Sequence, residues 1–340
     1  MIKTFIHSYN DIISLENLLL AWKNFRSEKS NKKDVQIWQR NLMENLLKLH
    51  NDLKTKNYKH SGYYAFKISD PKPRDIHKAI VCDRILHHAL YQKMYFFFDS
   101  KFISDSYSCR KWKGTHKGMN KFRDYFRKVS KNNSKTCWVL KCDIKKFFAS
   151  IDHNILKSIL VKFIKDKDII WLLDNIIDSF YTSDTNSAMA EFVSLSKGLP
   201  LGNLTSQLLV NIYMNEFDQF VKHKLKVKYY IRYADDFVIL SQDKNYLENI
   251  LEQMKEFLEN ELKLTMHPDK VFIKTIYSGV DFLGWVHFPK HRVLRNSTKK
   301  RMFRNLKNNQ KPNTIASYLG MLGHGNGYKL SMFIEAERNL

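Results

Sequence analysis

The sequence has few of the residues that break or cross-link a chain. Its 340 residues include only 11 glycines, 6 prolines and 4 cysteines. So little glycine and proline argues against a collagen-like or disordered chain, and the hydrophobic fraction of 44% is enough for a packed globular body. The cysteines Cys82, Cys109, Cys137 and Cys142 form no Cys-x-x-Cys pair and no zinc-finger spacing with histidine. They are therefore expected to be free thiols in a reducing cytoplasm.

Long apolar runs and acidic residues are also scarce. No segment is long and apolar enough to predict a membrane span, and the N-terminus lacks the pattern of a secretory signal. Only 34 Asp and Glu oppose 57 Lys and Arg, so the formal net charge is +23. An excess of this size favours a polyanionic partner, and nucleic acid is favoured over an anionic membrane surface. The sequence predicts a cytoplasmic protein with no membrane partner.

The spacing of apolar residues predicts helices that alternate with antiparallel strands. Helices are predicted over Val35–Leu53, Ile80–Phe98, Thr205 to about Lys222, with Thr205 or Ser206 as its N-cap, and Leu247–Leu262. Strands are predicted at Trp138–Asp143, on both sides of Tyr233–Asp236, at Val271–Ile276 and at Val280–Trp285. Extended segments are expected between Lys59 and Asp75, where Pro71 and Pro73 disfavour a helix. This order indicates an α+β fold with a ferredoxin-like layer.

Adjacent carboxylates interrupt two runs of β-forming residues in Tyr229–Leu240. Asp235 and Asp236 are expected in a hairpin that projects both acids from a sheet. Carboxylate oxygens are the ligands that Mg²⁺ prefers, which suggests phosphoryl transfer. A plain polar turn between two strands is the alternative interpretation.

A second acid, Asp143, ends the predicted apolar strand Trp138–Asp143. A two-metal mechanism needs carboxylates from separate elements, so one acidic pair is not sufficient. In a ferredoxin-like sheet the strand that ends at Asp143 can be the neighbour of the Asp235-Asp236 hairpin. The alternative for an isolated acid of this kind is a solvated strand end.

Several segments, in this order, resemble conserved blocks of reverse transcriptases. Asp143-Ile-Lys-Lys-Phe-Phe148 resembles the first catalytic motif of that family, and Tyr233-Ala-Asp-Asp236 resembles the second. The other matching blocks are Lys72–Ile76, Asp83-Arg84, Ser106–Arg110, Gly114–Gly118, Leu264–Lys270 and Phe282–Trp285. The resemblance covers most of the chain, to about Arg295. It implies a right-hand polymerase with fingers, a ferredoxin-like palm and a short helical thumb.

The resemblance also implies roles for individual residues. Asp143, Asp235, Asp236 and the backbone carbonyl of Ile144 would hold two Mg²⁺ ions, with Mn²⁺ as a substitute. Phe148 matches a steric gate that leaves no room for a ribose 2′-hydroxyl, whereas Phe147 fits a core aromatic better. Backbone amides of Lys146 and Phe147, together with Arg74, would bind the triphosphate. Lys270 lies where the family has a proton donor to pyrophosphate, although a solvated lysine is the alternative.

The loop Leu201-Gly202 departs from better-known branches of the family, which carry glutamine before the glycine. Leucine offers only apolar contact to an incoming nucleotide or its template partner, so one check on base pairing is lost. The pattern Leu-Gly-x-x-x-Ser-Gln is similar to that of diversity-generating retroelement reverse transcriptases, which copy a template RNA with errors at adenine. Some defence-associated bacterial reverse transcriptases depart from the family in the same loop. Both branches remain open at this point.

Two basic segments are predicted to contact nucleic acid. Residues 110–131 hold nine Lys and Arg, among them Arg110, Lys111, Lys113 and Lys117. Their interleaved aromatics, Trp112, Phe122, Tyr125 and Phe126, are expected to be mostly core. Residues 290–311 hold nine Lys and Arg and no acid, among them Lys299, Lys300, Arg301 and Arg304. In position this second segment matches a thumb that grips the primer–template backbone.

The predicted division is 1–115 N-terminal helices and fingers, 116–154 palm, 155–202 fingers, 203–290 palm and 291–340 thumb. Little chain follows the last palm strand, so no RNase H domain is expected. The resemblance implies dNTPs, nascent DNA and a structured non-coding template RNA as partners. It also implies a small accessory protein, a second reverse transcriptase or self-association. Rival hypotheses are a non-catalytic RNA-binding scaffold and a polymerase that extends DNA without a template.

Overall fold

The computed structural model describes residues 3–27, 29–69, 73–182, 196–309 and 311–338. Up to residue 143 the elements are α1 (Tyr9–Ile13), α2 (Leu15–Arg26), α3 (Lys33–Arg40), α4 (Leu42–Lys54), β1 (Tyr63–Ile68), β2 (Arg74–Ala79), α5 (Val81–Asp99), α6 (Thr115–Val129) and β3 (Trp138–Asp143). Pro71, which disfavours a helix, and Lys72, which begins a block that resembles the family, lie outside the described residues.

A short 3₁₀ turn, Phe147–Ser150, follows β3. The later helices are α7 (His153–Phe163), α8 (Lys167–Ile177), α9 (Leu204–Gln219), α10 (Lys244–Glu261), α11 (Asn296–Asn308), α12 (Pro312–Leu322) and α13 (Tyr328–Arg338). The later strands are β4 (Tyr230–Tyr233), β5 (Asp236–Ser241), β6 (Phe272–Thr275), β7 (Val280–Phe282), β8 (Trp285–His287) and β9 (Arg292–Leu294). No helix in these described ranges is long and apolar enough to cross a membrane.

The chain forms two compact units. The first comprises Met1–Ile103, Ile144–Phe220 and Glu256–Thr265, and the second comprises Ser104–Asp143, Val221–Lys255 and Met266–Leu340. Both units therefore draw on separate stretches of sequence, and the chain passes from the second unit to the first directly after Asp143.

The first unit is mainly helical, with α5 packed against α2 and α9. The buried Asn17 on α2 donates through Nδ2 to the carbonyls of Ile12 and Ala89, at 2.7 and 3.2 Å, which ties α2 to α5. The helical stretch predicted over Val35–Leu53 is confirmed, and the structure divides it into two helices. Asn41 breaks them at φ −114° and ψ 42°, outside the helical region.

Strands β1 and β2 form a separate two-stranded hairpin in the first unit. Tyr63 pairs with Ala79 and Ile68 with Arg74 at its two ends. The free edge of β2 is met by the loop that precedes α9: the His77 amide donates to the Leu201 carbonyl at 2.9 Å, and Asn203 Nδ2 donates to the His77 carbonyl at 2.9 Å. The loop therefore satisfies polar backbone groups that an edge strand would leave to water.

The second unit is built around a four-stranded antiparallel sheet in the order β4-β5-β3-β6. With helices between β3 and β4 and between β5 and β6, this order is the ferredoxin-like arrangement that the sequence predicted. Helix α6 packs on the sheet through an apolar face: Phe122, Phe126 and Val129 join Val139, Ile231, Val238 and Leu240 in one buried cluster.

Two local predictions are wrong. Helix α9 begins at Leu204 with Asn203 as its N-cap, not at Thr205 or Ser206. The Thr205 hydroxyl instead lies 3.2 Å from Nδ1 of the buried His87. The predicted strand Val280–Trp285 is two strands, β7 and β8, because Leu283 and Gly284 have φ values of +53° and +86° and form a tight turn.

Candidate active site

The antiparallel pairing of β3 with β5 brings together acids that are far apart in the sequence. In this register Asp143 is the partner of Asp236, and both lie at the ends of their strands. The structure confirms the prediction that the strand ending at Asp143 is a neighbour of the Asp235-Asp236 hairpin. All three acids belong to the second unit.

Asp235 lies in the two-residue turn between β4 and β5. Tyr233 pairs with Asp236 across the turn, which leaves Ala234 and Asp235 as its two central residues. Ala234 has a φ of +56°, in the left-handed region that glycine favours. The turn therefore places Asp235 next to Asp236, at the end of the sheet where Asp143 lies.

Two lysines neutralise part of the negative charge. Lys270 Nζ lies 2.7 Å from Asp143 Oδ1. The largely buried Lys141 Nζ lies 3.3 Å from Asp236 Oδ2 and donates to the Asp281 carbonyl at 2.8 Å. The structure therefore places Lys270 beside Asp143, and its role as a proton donor stays a prediction. Lys141 was not predicted, although a lone lysine inside an apolar strand, two residues before Asp143, is a visible signal.

Asp236 lies in surroundings that disfavour its charged form. Burial, with smaller contributions from Asp235 and Asp143, raises the pKa of Asp236 to about 7 against the opposing effect of Lys141. Its Oδ1 atom is buried and accepts no hydrogen bond in the described part of the chain. A buried carboxylate oxygen without a partner is costly unless a cation or proton meets it.

These features fit a divalent cation. Asp143, Asp235 and Asp236 lie at one end of the sheet by strand register, and hard oxygen donors of this kind suit Mg²⁺. Among the residues that the structure describes, no three acidic, histidine or cysteine side chains already converge as a complete set of metal ligands. Asp143 and Asp236 are paired with lysines instead, so a cation would compete with Lys141 and Lys270 for their oxygens.

The predicted site residues that directly follow Asp143 in the sequence belong to the first unit. They are Ile144, predicted to contact metal, and Lys146, Phe147 and Phe148, predicted to contact the nucleotide. The Ile144 side chain is 2% exposed. Lys146 has a φ of +47° and begins the 3₁₀ turn that contains both phenylalanines. Phe147 is 5% exposed and therefore a core residue, whereas Phe148 is half-buried. The Phe148 carbonyl accepts from the Leu199 amide at 2.8 Å, which fixes the backbone beneath the ring.

Arg74, Leu201 and Gly202 also lie in the first unit. Arg74 is exposed at the start of β2. Gly202 has a φ of +108°, and a Cβ there would lie 2.8 Å from Cγ2 of Ile76. The loop therefore needs glycine at this position, while the half-buried Leu201 side chain is free of that constraint.

Arg232, one residue before the predicted motif, is a functional candidate that the sequence analysis missed. It is fully buried. Its Nη1 donates to the Ala234 carbonyl at 3.1 Å and its Nη2 to Ser106 Oγ at 3.2 Å. The Arg232 amide donates to the Asp105 carbonyl, and its carbonyl accepts from the Tyr107 amide, both at 2.9 Å. Arg232 thus fastens the Ala234-Asp235 turn to the segment Asp105–Tyr107.

Replacing this arginine is expected to impair the turn. In Arg232→Met the Ala234 carbonyl loses its donor, so the variant should be less stable by about 1–3 kcal/mol. A shifted Asp235 should lower kcat by about 10- to 100-fold, because small displacements of reacting groups have effects of this size. Thermal unfolding and steady-state primer extension measure the two effects.

Arg232→Lys, which keeps the charge, and Ser106→Ala, which removes only one acceptor, are the matched controls. Both should retain more activity than Arg232→Met. If Arg232→Met loses stability but keeps its kcat, the arginine has a purely structural role.

The predicted nucleic-acid residues occupy two places in the second unit. Lys111 and Lys117 are exposed near the start of α6, whereas Arg110 and Lys113 donate to the carbonyls of Ser106 and Ser104 at 3.0 and 2.7 Å. On α11, Lys299, Lys300 and Arg304 are exposed and Arg301 is half-buried, opposite the buried Met302 and Leu306. Helix α11 therefore presents a basic face to solvent.

Comparison with known families agrees with this geometry. The model of the family described as "Reverse transcriptase (RNA-dependent DNA polymerase)" matches residues 69–287, which include both acidic motifs. The chain belongs to the reverse transcriptase family. The matched range ends at β8, so α11 to α13 of this reverse transcriptase lie beyond it.

Two relatives of this reverse transcriptase are bacterial proteins, and one of them is encoded by a group II intron. Protein YkfC of Escherichia coli is 26% identical over 263 residues, which is 68% of this chain and 66% of YkfC. The group II intron-encoded protein LtrA of Lactococcus lactis is 23% identical over 300 residues, which is 70% of this chain and 47% of LtrA. The chain thus spans less than two thirds of the length of these relatives.

Among solved structures, telomerase from Candida albicans in complex with a fragment of telomeric RNA superposes with a TM-score of 0.51. The sequence identity is 12%, and the match covers 72% of this chain and 48% of the telomerase. At that identity the likeness shows the fold alone, and it confirms the predicted right-hand polymerase fold.

Proposed function

We propose that this chain is an RNA-directed DNA polymerase that extends a primer 3′-hydroxyl with deoxynucleotides. The observation that supports this most is the strand register that pairs Asp143 with Asp236 beside the Asp235 turn. Membership of the reverse transcriptase family supports the same reaction. A solvated polar turn would not explain a third acid and a buried lysine at the same end of the sheet.

In the proposed mechanism Asp143 and Asp235, with the Ile144 carbonyl and Asp236, would hold two divalent cations. The primer 3′-hydroxyl attacks the α-phosphate of the dNTP and pyrophosphate leaves; bound cations would supply activation of the hydroxyl and neutralisation of the pyrophosphate charge. Arg74 and the amides of Lys146 and Phe147 orient the triphosphate. Lys270 gives up its ion pair with Asp143 and supplies a proton to the leaving group. Phe148 excludes the ribose 2′-hydroxyl.

The chain itself is proposed to divide into fingers, palm and thumb as the resemblance implies. The ferredoxin-like sheet would be the palm, and helices α11 to α13 the thumb, with Lys299, Lys300, Arg301 and Arg304 on the primer–template backbone. The proposed partners are a structured non-coding template RNA and a small accessory protein or a second copy. The net charge of +23 supports a polyanionic partner.

Primer extension with purified protein tests the proposal. On a primed RNA template the protein should incorporate dNTPs in the order that the template dictates. Synthesis that persists after removal of co-purified RNA and ignores added template would support untemplated extension instead. RNA binding without any incorporation, at all Mg²⁺ and Mn²⁺ concentrations, would support the non-catalytic scaffold.

We further propose that the template is copied with low fidelity, as in diversity-generating retroelements. The support is Leu201, which offers an apolar side chain beside Gly202, where other branches have glutamine. Neighbouring genes test the biological role: paired template and variable repeats would support diversification, whereas a defence cassette would support an antiphage reverse transcriptase that makes DNA from an associated RNA.

Restoring the glutamine is expected to raise fidelity. Leu201→Gln adds one hydrogen-bonding side chain, and a net hydrogen bond of about 1 kcal/mol corresponds to about fivefold fewer errors. Sequencing of products made on one defined RNA measures the misincorporation rate at each template base. Leu201→Met, which keeps an apolar side chain, is the control. Identical error spectra for all three proteins would remove the role assigned to Leu201.

A further inference from the structure

Trp112 differs from the other tryptophans and from the aromatic residues around it. All six tryptophans lie in the described ranges; Trp22 and Trp285 are 3% and 2% exposed, whereas Trp112 is 76% exposed. The sequence analysis expected the aromatics of residues 110–131 to be mostly core. Phe122, Tyr125 and Phe126 are buried, which confirms the expectation, and Trp112 is the exception among these four. An indole ring at this exposure is not explained by packing.

The loop that carries Trp112 is held in a defined shape. Cys109 and Trp112 have φ values of +53° and +59°, which residues other than glycine rarely adopt. The Gly114 amide donates to the Tyr107 carbonyl at 3.0 Å, which closes the loop. Arg110 and Lys113 use their side chains to bind the carbonyls of Ser106 and Ser104. The backbone and two cations thus hold Trp112 outward.

The stretch of sequence around Trp112 is basic. Between Asp105 and Asp124 the chain has no acid, and its cations are Arg110, Lys111, Lys113, Lys117, Lys121 and Arg123. An exposed aromatic ring among cations is the arrangement by which proteins bind unpaired nucleotides: the ring stacks on a base and the cations neutralise phosphates. A membrane anchor would need a wider apolar surface than one ring among lysines.

The loop is also joined to the acidic hairpin within the same unit. Its supporting segment, Asp105–Tyr107, hydrogen-bonds on both sides of Arg232 in β4. Asp235 follows Arg232 by three positions in the sequence. RNA bound by this loop would therefore contact the same segment that supports the turn carrying Asp235.

We propose that Trp112 is a stacking platform for an unpaired base of RNA, with Lys111 contacting the adjacent phosphate. The inference rests on the proposed function in so far as this RNA is the template. The binding itself requires no DNA synthesis. It can therefore be tested even if the chain does not polymerise.

Fluorescence anisotropy at one fixed salt concentration tests the stacking directly. The probes are a single-stranded RNA 12-mer and an abasic strand of the same length and charge. Trp112→Ala should weaken binding of the RNA about tenfold and leave binding of the abasic strand unchanged, because only bases stack. Trp112→Phe should keep most of the affinity. Lys111→Ala should weaken both strands alike and reduce the salt dependence.

Iodide quenching of tryptophan fluorescence gives a second measurement. Trp112 should account for most of the quenching, and the RNA 12-mer should protect it, whereas Trp112→Phe should lose this protected component. Equal loss of affinity for the RNA and the abasic strand in Trp112→Ala would overturn the proposal. The proposal would also be overturned if vesicles containing phosphatidylserine protected Trp112 from iodide quenching and the RNA 12-mer did not.

Discussion

Asp235→Asn is expected to lower the rate of dNTP incorporation by about 1,000-fold or more, the effect of losing several kcal/mol of metal-centred stabilisation. The substitution keeps the size of the side chain and removes its charge. Asp235 lies in the turn, outside the strand ladder, so the antiparallel pairing of β4 with β5 should persist. Single-turnover primer extension on an RNA template at saturating Mg²⁺ measures the loss.

The Asp235 variant has two further expected properties. Because Asp235 contributes to the raised pKa of Asp236, that pKa should fall when the charge is removed. RNA affinity should be unchanged or slightly higher, since one negative charge is lost. Loss of synthesis with intact RNA binding would separate a catalytic role from a structural one.

Glu252→Gln on α10 is the matched control, because it makes the same change of charge at an exposed position. It should retain the rate of the unmodified protein. Full incorporation by Asp235→Asn would contradict the proposed polymerase mechanism, whatever the outcome for the control.

Phe148→Ala should remove discrimination against ribonucleotides. The half-buried Phe148 ring follows the core residue Phe147, and their ring centroids are 5.5 Å apart in an edge-on contact. Without the ring a 2′-hydroxyl meets no steric barrier, so the preference for dNTPs should fall about 10- to 100-fold, the range expected when a pocket no longer excludes a small group. The ratio of kcat/KM for dNTP and rNTP measures it.

Two neighbouring substitutions make this experiment specific. Phe148→Tyr keeps the bulk of the ring and should keep the preference. Phe147→Leu removes volume from the core and should lower the melting temperature without changing the ratio. If the ratio of kcat/KM for dNTP and rNTP is unchanged in Phe148→Ala, or changes equally in Phe147→Leu, Phe148 is not the steric gate.

Much of the local structure could be predicted from the sequence because it follows from short-range patterns. Alternating and helical spacing indicated β3, β5, α5 and α10, and the excess of cations indicated a polyanionic partner. Predictions failed where one residue changed the backbone. Asn41 divides the predicted first helix, and the Leu283-Gly284 turn divides the predicted strand Val280–Trp285.

The candidate site was only partly predictable, for a different reason. The acids and Phe148 came from motifs that resemble a known family. The contacts of Lys141 with Asp236 and of Arg232 with Ser106 join residues that are about a hundred positions apart, and no spacing rule connects them. The aromatics of residues 110–131 were expected to be mostly core, and the exposure of Trp112 among them follows from the loop that precedes α6.

The sequence by itself determined the class of the protein, since the order of the acidic motifs, the basic composition and the alternation of helices and strands are all properties of the linear chain. Only the tertiary structure decided how the acids meet. The pairing of Asp143 with Asp236 and the two lysines beside them depend on strand register and burial. Those are set by long-range packing, which local propensities do not encode.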